Sequence, residues 1–177
     1  MKSIDTFYNN NFFRSRLEAR WAVFFNEAGI KYEYEPEGFK NDAGDKYLPD
    51  FYLPEATIRD GDKGVYIEIK PDSFLLEQIP QSTWFDKPLV LFCGTPNYHI
   101  WGMFSKFVGG FEQYPLRDNH MGIFKCSHCN HIKIEYHFGN KHYCPNCKRA
   151  GSKTKFLLNA AQLAVKKRFE HQEFMTM

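Results

Sequence analysis

The chain has 177 residues, enough for one ordinary domain and a small module. An aromatic content of 18%, with 18 Phe, supplies a substantial core and excludes disorder as the default; no run of 18 apolar residues or N-terminal signal-peptide stretch is present, so a cytoplasmic protein with no membrane partner is expected. The net charge of +2 hides an asymmetry, because residues 120–177 carry ten Lys/Arg against three acids and residues 1–119 carry 13 basic against 18 acidic groups.

Residues 13–28 read as a helix. Leu17, Trp21, Phe24 and Ala28 recur at helical spacing as an apolar stripe, and Gly29 suits the position just past the C-terminus. Glu18 lies at the edge of that stripe, where it can reach a site on a sheet. It also completes Ser15-x-x-Glu18, a capping box, and both readings stand. Residues 30–36 alternate as a strand, with Glu33 and Glu35 together on a face expected to be solvated. Turn chemistry at 41–46 leads to a strand at 47–53, and a second turn at 59–64 to a strand at 65–70.

Those two strands hold the most informative residues: Pro49-Asp50 and Glu68-Ile69-Lys70. A strand has a side-chain period of two, so Tyr66, Glu68 and Lys70 share one face while Ile67 and Ile69 turn to the other. An acid and an amine on a short apolar strand are costly to bury unless a metal or substrate uses them. Two carboxylates suit Mg²⁺, and a lysine beside such a metal can orient or deprotonate a water. The bland alternative is a hairpin with ordinary salt bridges.

This pattern resembles the PD-(D/E)XK nuclease superfamily, with Pro49-Asp50 as one half of the motif and Glu68-Ile69-Lys70 as the other. The resemblance covers roughly residues 12–95. One departure is Pro71, which ends the strand directly after the lysine. It implies an α/β fold, a restriction-endonuclease-like mixed sheet flanked by helices, and a metal-dependent DNA nuclease. Asp50, Glu68, the Ile69 carbonyl and Glu18 would hold Mg²⁺ or Mn²⁺, and Lys70 would position the water. Catalysis is expected of Glu18, Asp50, Glu68 and Lys70. The other outcome is a fold that no longer cuts and acts as a DNA-binding or adaptor protein.

Further along, a short helix is expected at 73–81. Leu89 to Cys93 reads as a buried parallel strand, with Cys93 in the core, and Tyr98 to Phe104 as another strand. Gly94-Thr95-Pro96 is a turn and not a phosphate loop.

Cys126-Ser127-His128-Cys129 and Cys144-Pro145-Asn146-Cys147 form two Cys-x-x-Cys knuckles separated by 14 residues. Four thiolates at this spacing suit one tetrahedral Zn²⁺, with Ile132 to Tyr136 and the turn Gly139-Asn140 as the hairpin of a zinc ribbon. Two disulfides are improbable in a cytosolic chain, and an iron–sulfur cluster is a minority option. His128, His131, His137 and His142 are read as surface or phosphate-facing. Asp118-Asn119-His120 and His128 to His131 lack the spacing of a ββα-metal nuclease.

Residues 156–170 read as a helix with Leu157, Ala161, Ala164 and Val165 on one side and Lys166-Lys167-Arg168 near its end. Those cations suit the helix dipole, or contact phosphate. The expected organisation is a nuclease-like core at 1–115, a four-cysteine ribbon at 120–150 and a basic helix and tail at 151–177. Expected partners are DNA, a second copy of the chain, or a replication, recombination or transposition protein, in a bacterial or phage-infected cell.

Overall fold

The computed structural model describes residues 3–58, 63–71, 87–96, 101–106, 110–111, 121–136, 144–149 and 154–169. The expected helix at 73–81, the turn Gly139-Asn140, His137, His142 and the residues after 169 lie outside them.

A hairpin opens the chain, β1 (Thr6–Tyr8) antiparallel to β2 (Asn11–Phe13). Asn9 and Asn10 both take positive φ, 49° and 63°, the conformation a two-residue hairpin turn demands. Helix α1 (Arg16–Glu27) follows, with Ser15 as N-cap and Gly29 at φ +57° beyond its end. After α1 come β3 (Glu33–Tyr34), then the hairpin of β4 (Phe39–Lys40) and β5 (Lys46–Tyr47). The long pair β6 (Phe51–Ile58) and β7 (Lys63–Lys70) is antiparallel, and β8 (Leu89–Cys93) lies parallel to β7. The remaining elements are β9 (Trp101–Lys106), β10 (Gly110–Phe111), β11 (Met121–Lys125), β12 (Ile132–Tyr136) and α2 (Thr154–Lys166).

The main sheet is mixed, in the order β10-β9-β8-β7-β6-β12-β11, with β3 also paired to β6. The strand expected at 47–53 is therefore two elements, since β5 turns away into its own hairpin and β6 begins at Phe51. The hairpin expected between the two knuckles is also differently built. Strand β12 pairs back with β11 across the first knuckle and runs parallel to β6. The expected boundary between core and ribbon thus falls between strands of one sheet.

One face of the sheet carries the core. Trp21, Phe24 and Phe25 of α1 pack with Phe51, Ile67, Phe92 and Ile134 of the sheet, and Leu157, Ala160, Ala161 and Ala164 bring α2 into the same cluster. Trp21 stacks on Phe92 at 4.8 Å, and its Nε1 donates to the Gly94 carbonyl at 2.9 Å, so a buried indole keeps its hydrogen bond. Small residues on α2 let the two helices approach closely. Val165, expected on the buried side, is exposed, and Ala160 takes its place, because the stripe runs i, i+3, i+4, i+7 from Leu157. The opposite face holds Tyr66 and Leu89 under Phe39, Tyr47 and Tyr52. Tyr66 and Ile67 thus occupy opposite faces, as the period of two requires. Among the described residues no helix is long and apolar enough to cross a membrane.

Candidate functional site

Strand register assembles the carboxylates. Phe51 pairs with Ile67, so Asp50, one residue beyond that pair, comes opposite Glu68. Like charges placed across a ladder repel, and here both are only 3% exposed. Pro49 has no N–H with which to extend the ladder, and the Ile69 amide donates to Asp50 Oδ2 at 2.7 Å instead. On the other edge of β7, Tyr66 N donates to the Pro88 carbonyl and the Lys70 carbonyl accepts from Gly94 N. Backbone groups alternate sides along a strand, so the Ile69 carbonyl faces the same notch as Asp50.

Glu18 enters from the first turn of α1, 8% exposed. Ser15 caps the helix as the capping-box reading expects, but the Glu18 carboxylate meets the Ser15 hydroxyl. The Glu18 backbone N–H donates to Ser15 Oγ at 3.1 Å, while its carboxylate accepts from the Ser15 hydroxyl at 2.7 Å and the Tyr34 hydroxyl at 2.7 Å. Glu18 is also close enough to Asp50 to perturb it. Burial first, then the charges of Glu68 and Glu18, push the Asp50 carboxyl up to about 8, against the opposing pull of the Ile69 amide and Lys70.

Two cations flank these acids. Lys70 pairs with Glu68 Oε1 from its own strand, one period along. Arg14, just before the N-cap, places Nη2 3.1 Å from Asp50 Oδ1 and Nε 2.5 Å from Glu35 Oε1. Glu68 Oε2 is buried without a hydrogen-bond partner among the described residues. The Tyr47 phenol is pushed far above its usual range by burial, then by the charge of Glu68 and by hydrogen bonding to its carboxylate.

Glu18, Asp50, Glu68 and Lys70, drawn from three separate segments, therefore lie in one cluster. Sequence reasoning missed Arg14, Tyr34 and Tyr47, and it placed Glu35 with Glu33 in solvent. Glu33 is exposed, but Glu35 has φ +47°, which breaks the strand alternation and turns its carboxylate to Arg14. The available signal for Arg14 was its position beside the Ser15 cap, and for Tyr34 and Tyr47 their place in the two strands nearest Asp50.

The second site lies at the far edge of the sheet. Cys126, Cys129, Cys144 and Cys147 are free thiols whose sulfur atoms all lie within 4.8 Å of one another. Sγ of Cys126 is 3.5 Å from that of Cys147, and Sγ of Cys129 is 3.6 Å from that of Cys144. Tetrahedral Zn–S bonds of about 2.3 Å place sulfurs about 3.8 Å apart, so the cluster fits a structural zinc ion. The two knuckles are copies of one turn. In each, the first cysteine's carbonyl accepts from the residue after the second, Asn130 or Lys148, and both of those residues have φ +57°. The amide of the first cysteine in turn donates to the carbonyl of His131 or Arg149.

The Asn146 amide donates to Cys129 Sγ at 3.4 Å and helps lower that thiol to about 6. Burial and the neighbouring thiols push Cys147 the other way, up to about 12, so the four sulfurs share their protons unevenly. The first knuckle is tied to the body of the molecule twice. Lys125 Nζ donates to the Ala28 and Gly29 carbonyls at 2.8 Å, capping the C-terminus of α1, and His131 Nε2 shares a hydrogen bond with Thr57 Oγ1 at 3.1 Å. His128 is exposed, whereas His131 is half-buried. Lys167 of the basic run lies over the Tyr8 ring, 5.8 Å from its centroid.

Comparison with family models, with curated proteins and with solved structures finds no match to this chain.

Proposed function

We infer that this chain is a metal-dependent nuclease that hydrolyses DNA phosphodiester bonds, with a restriction-endonuclease-like core and a zinc ribbon. The observation that carries the reading is the grouping of three buried acids, Glu18, Asp50 and Glu68, beside Lys70. Three buried acids meet there against Lys70 and Arg14, and a hard divalent cation suits such a group of oxygen ligands. Asp50, Glu68, Glu18 and the Ile69 carbonyl would hold Mg²⁺ or Mn²⁺. A divalent ion there supplies Lewis-acid stabilisation of charge developing on a phosphate. Lys70, 31% exposed and anchored on Glu68, would orient a water beside the acids. The Ile69 amide and Arg14 fix the two oxygens of Asp50. The four-cysteine site and the basic α2 end supply DNA contacts away from the acids, where a run of cations adds salt-dependent affinity.

The test is cleavage of duplex, single-stranded and branched DNA with Mg²⁺ or Mn²⁺, with Asp50→Ala purified in parallel. Cutting by the unsubstituted protein alone supports the reading. Tight, salt-dependent DNA binding without cutting would assign the chain to a DNA-binding or adaptor role.

A further inference from the structure

Arg14 is unusual among the charged groups of the pocket. Its guanidinium touches two carboxylates, Asp50 and Glu35, and it also feels Glu18, yet 55% of its side chain stays open to solvent. Lys70 stands on the Glu68 side of the acids and Arg14 on the Asp50 side. A phosphodiester entering between them would meet a cation on each flank. Arginine offers five N–H donors in a planar fork, so engaging two carboxylates leaves donors suited to a phosphate.

Geometry also makes Arg14 a competitor of a bound cation. It occupies Asp50 Oδ1, while Oδ2 is held by the Ile69 amide. A divalent ion taking Asp50 would weaken that hold and release the guanidinium toward the open side. We propose that Arg14 is the phosphate-binding residue of this site, held on Asp50 until a divalent ion and DNA replace that contact. This inference rests on the nuclease reading and adds to it a substrate-contacting side chain outside the motif. Glu35 keeps the arm in place, because its pairing to Nε persists when Nη2 leaves Asp50.

The opposed expectations for metal and DNA separate this role from a structural one. Mg²⁺ is titrated calorimetrically into the DNA-free full-length protein, and binding of a short duplex is measured as a function of salt in a Lys70→Ala background that cannot cut. Arg14→Gln is expected to keep or tighten Mg²⁺ binding and to weaken duplex binding about tenfold, the effect of one charge-assisted contact. The slope of log affinity against log salt should fall by about one. Arg14→Lys, which keeps the charge but loses the fork, should retain the slope and recover only part of the affinity. Loss of Mg²⁺ binding together with a lower Tm in both variants would overturn the proposal and make Arg14 a brace. Unchanged duplex affinity and slope would overturn it too. An unsubstituted protein that binds no Mg²⁺ at all would instead sink the nuclease reading beneath it.

Discussion

The carboxylate cluster and the four-cysteine cluster both crowd like groups together, but their neighbours differ. In the pocket, protein cations already stand against the acids: Lys70 on Glu68 and Arg14 on Asp50. At the cysteines the neighbours are other thiols and a few amide donors. The carboxylate cluster is thus scaffolded by the sheet and by α1, and under the proposed function a metal there would be a late addition. The knuckles are short turns, and a metal contributes a large share of their folding energy. Chelation should therefore act on structure at one site and on chemistry at the other.

The largest effect expected is at the cysteines. Cys126→Ser or Cys144→Ser should abolish stoichiometric zinc, read by elemental analysis, and lower Tm markedly, because the first knuckle joins two strands of the main sheet. Retained Tm in both variants would show that the knuckles need no metal. Next comes Asp50→Asn, which should lower cleavage by more than the roughly 10–100-fold that loss of a group supporting a metal ligand costs. The same change should leave Tm in chelator unchanged or higher, since it relieves repulsion with Glu68 and Glu18. A large Tm loss would make Asp50 structural first.

A pH series sharpens the contrast. The folded-state pKa of Asp50 lies near 8, above its ordinary 3.8, so the folded chain binds a proton that the unfolded chain has released. Its contribution is then present at low pH and fades as pH rises from about 4 to about 8. Without divalent metal, Tm should decline across that window, and Asp50→Asn should flatten the decline. Added Mg²⁺ should stabilise more at pH 8 than at pH 5. The smallest effects concern supports. Ser15→Ala removes the N-cap and one partner of Glu18, at a cost of about 1 kcal/mol by chemical denaturation. Gly29→Ala should cost about 1–2 kcal/mol, from φ +57° and from a Cβ 2.9 Å from Lys125 Nζ.

The difference between the sites also explains what could be read in the sequence. The cysteine knuckles are local, so four residues and their spacing announced the cluster. Asp50, Glu68 and Lys70 could be placed because the strand period fixes faces and the Pro-Asp and Glu-x-Lys pattern singles them out. Helix α1 followed from its apolar spacing and from Ser15 and Gly29. Other features were hidden because they depend on tertiary register. Nothing local says that β12 joins β6 in parallel, or that β5 leaves the sheet before β6 begins. Glu35 was misplaced because a single positive φ reverses the face it serves, and alternation cannot anticipate that. Arg14 and Tyr47 look like ordinary polar residues until the fold brings them to Asp50 and Glu68.

Pro49 gives the pocket a mechanical character. Two antiparallel strands close like a zip, and every further pair of amides would draw β6 and β7 together past the acids. A residue without an amide hydrogen acts as the stop on that zip, set one tooth short of closure. An alanine or threonine there would let the ladder advance toward Ile69, displacing the Asp50 carboxylate from its amide. The β6–β7 pairing thus ends beside a residue that lacks the donor to continue it.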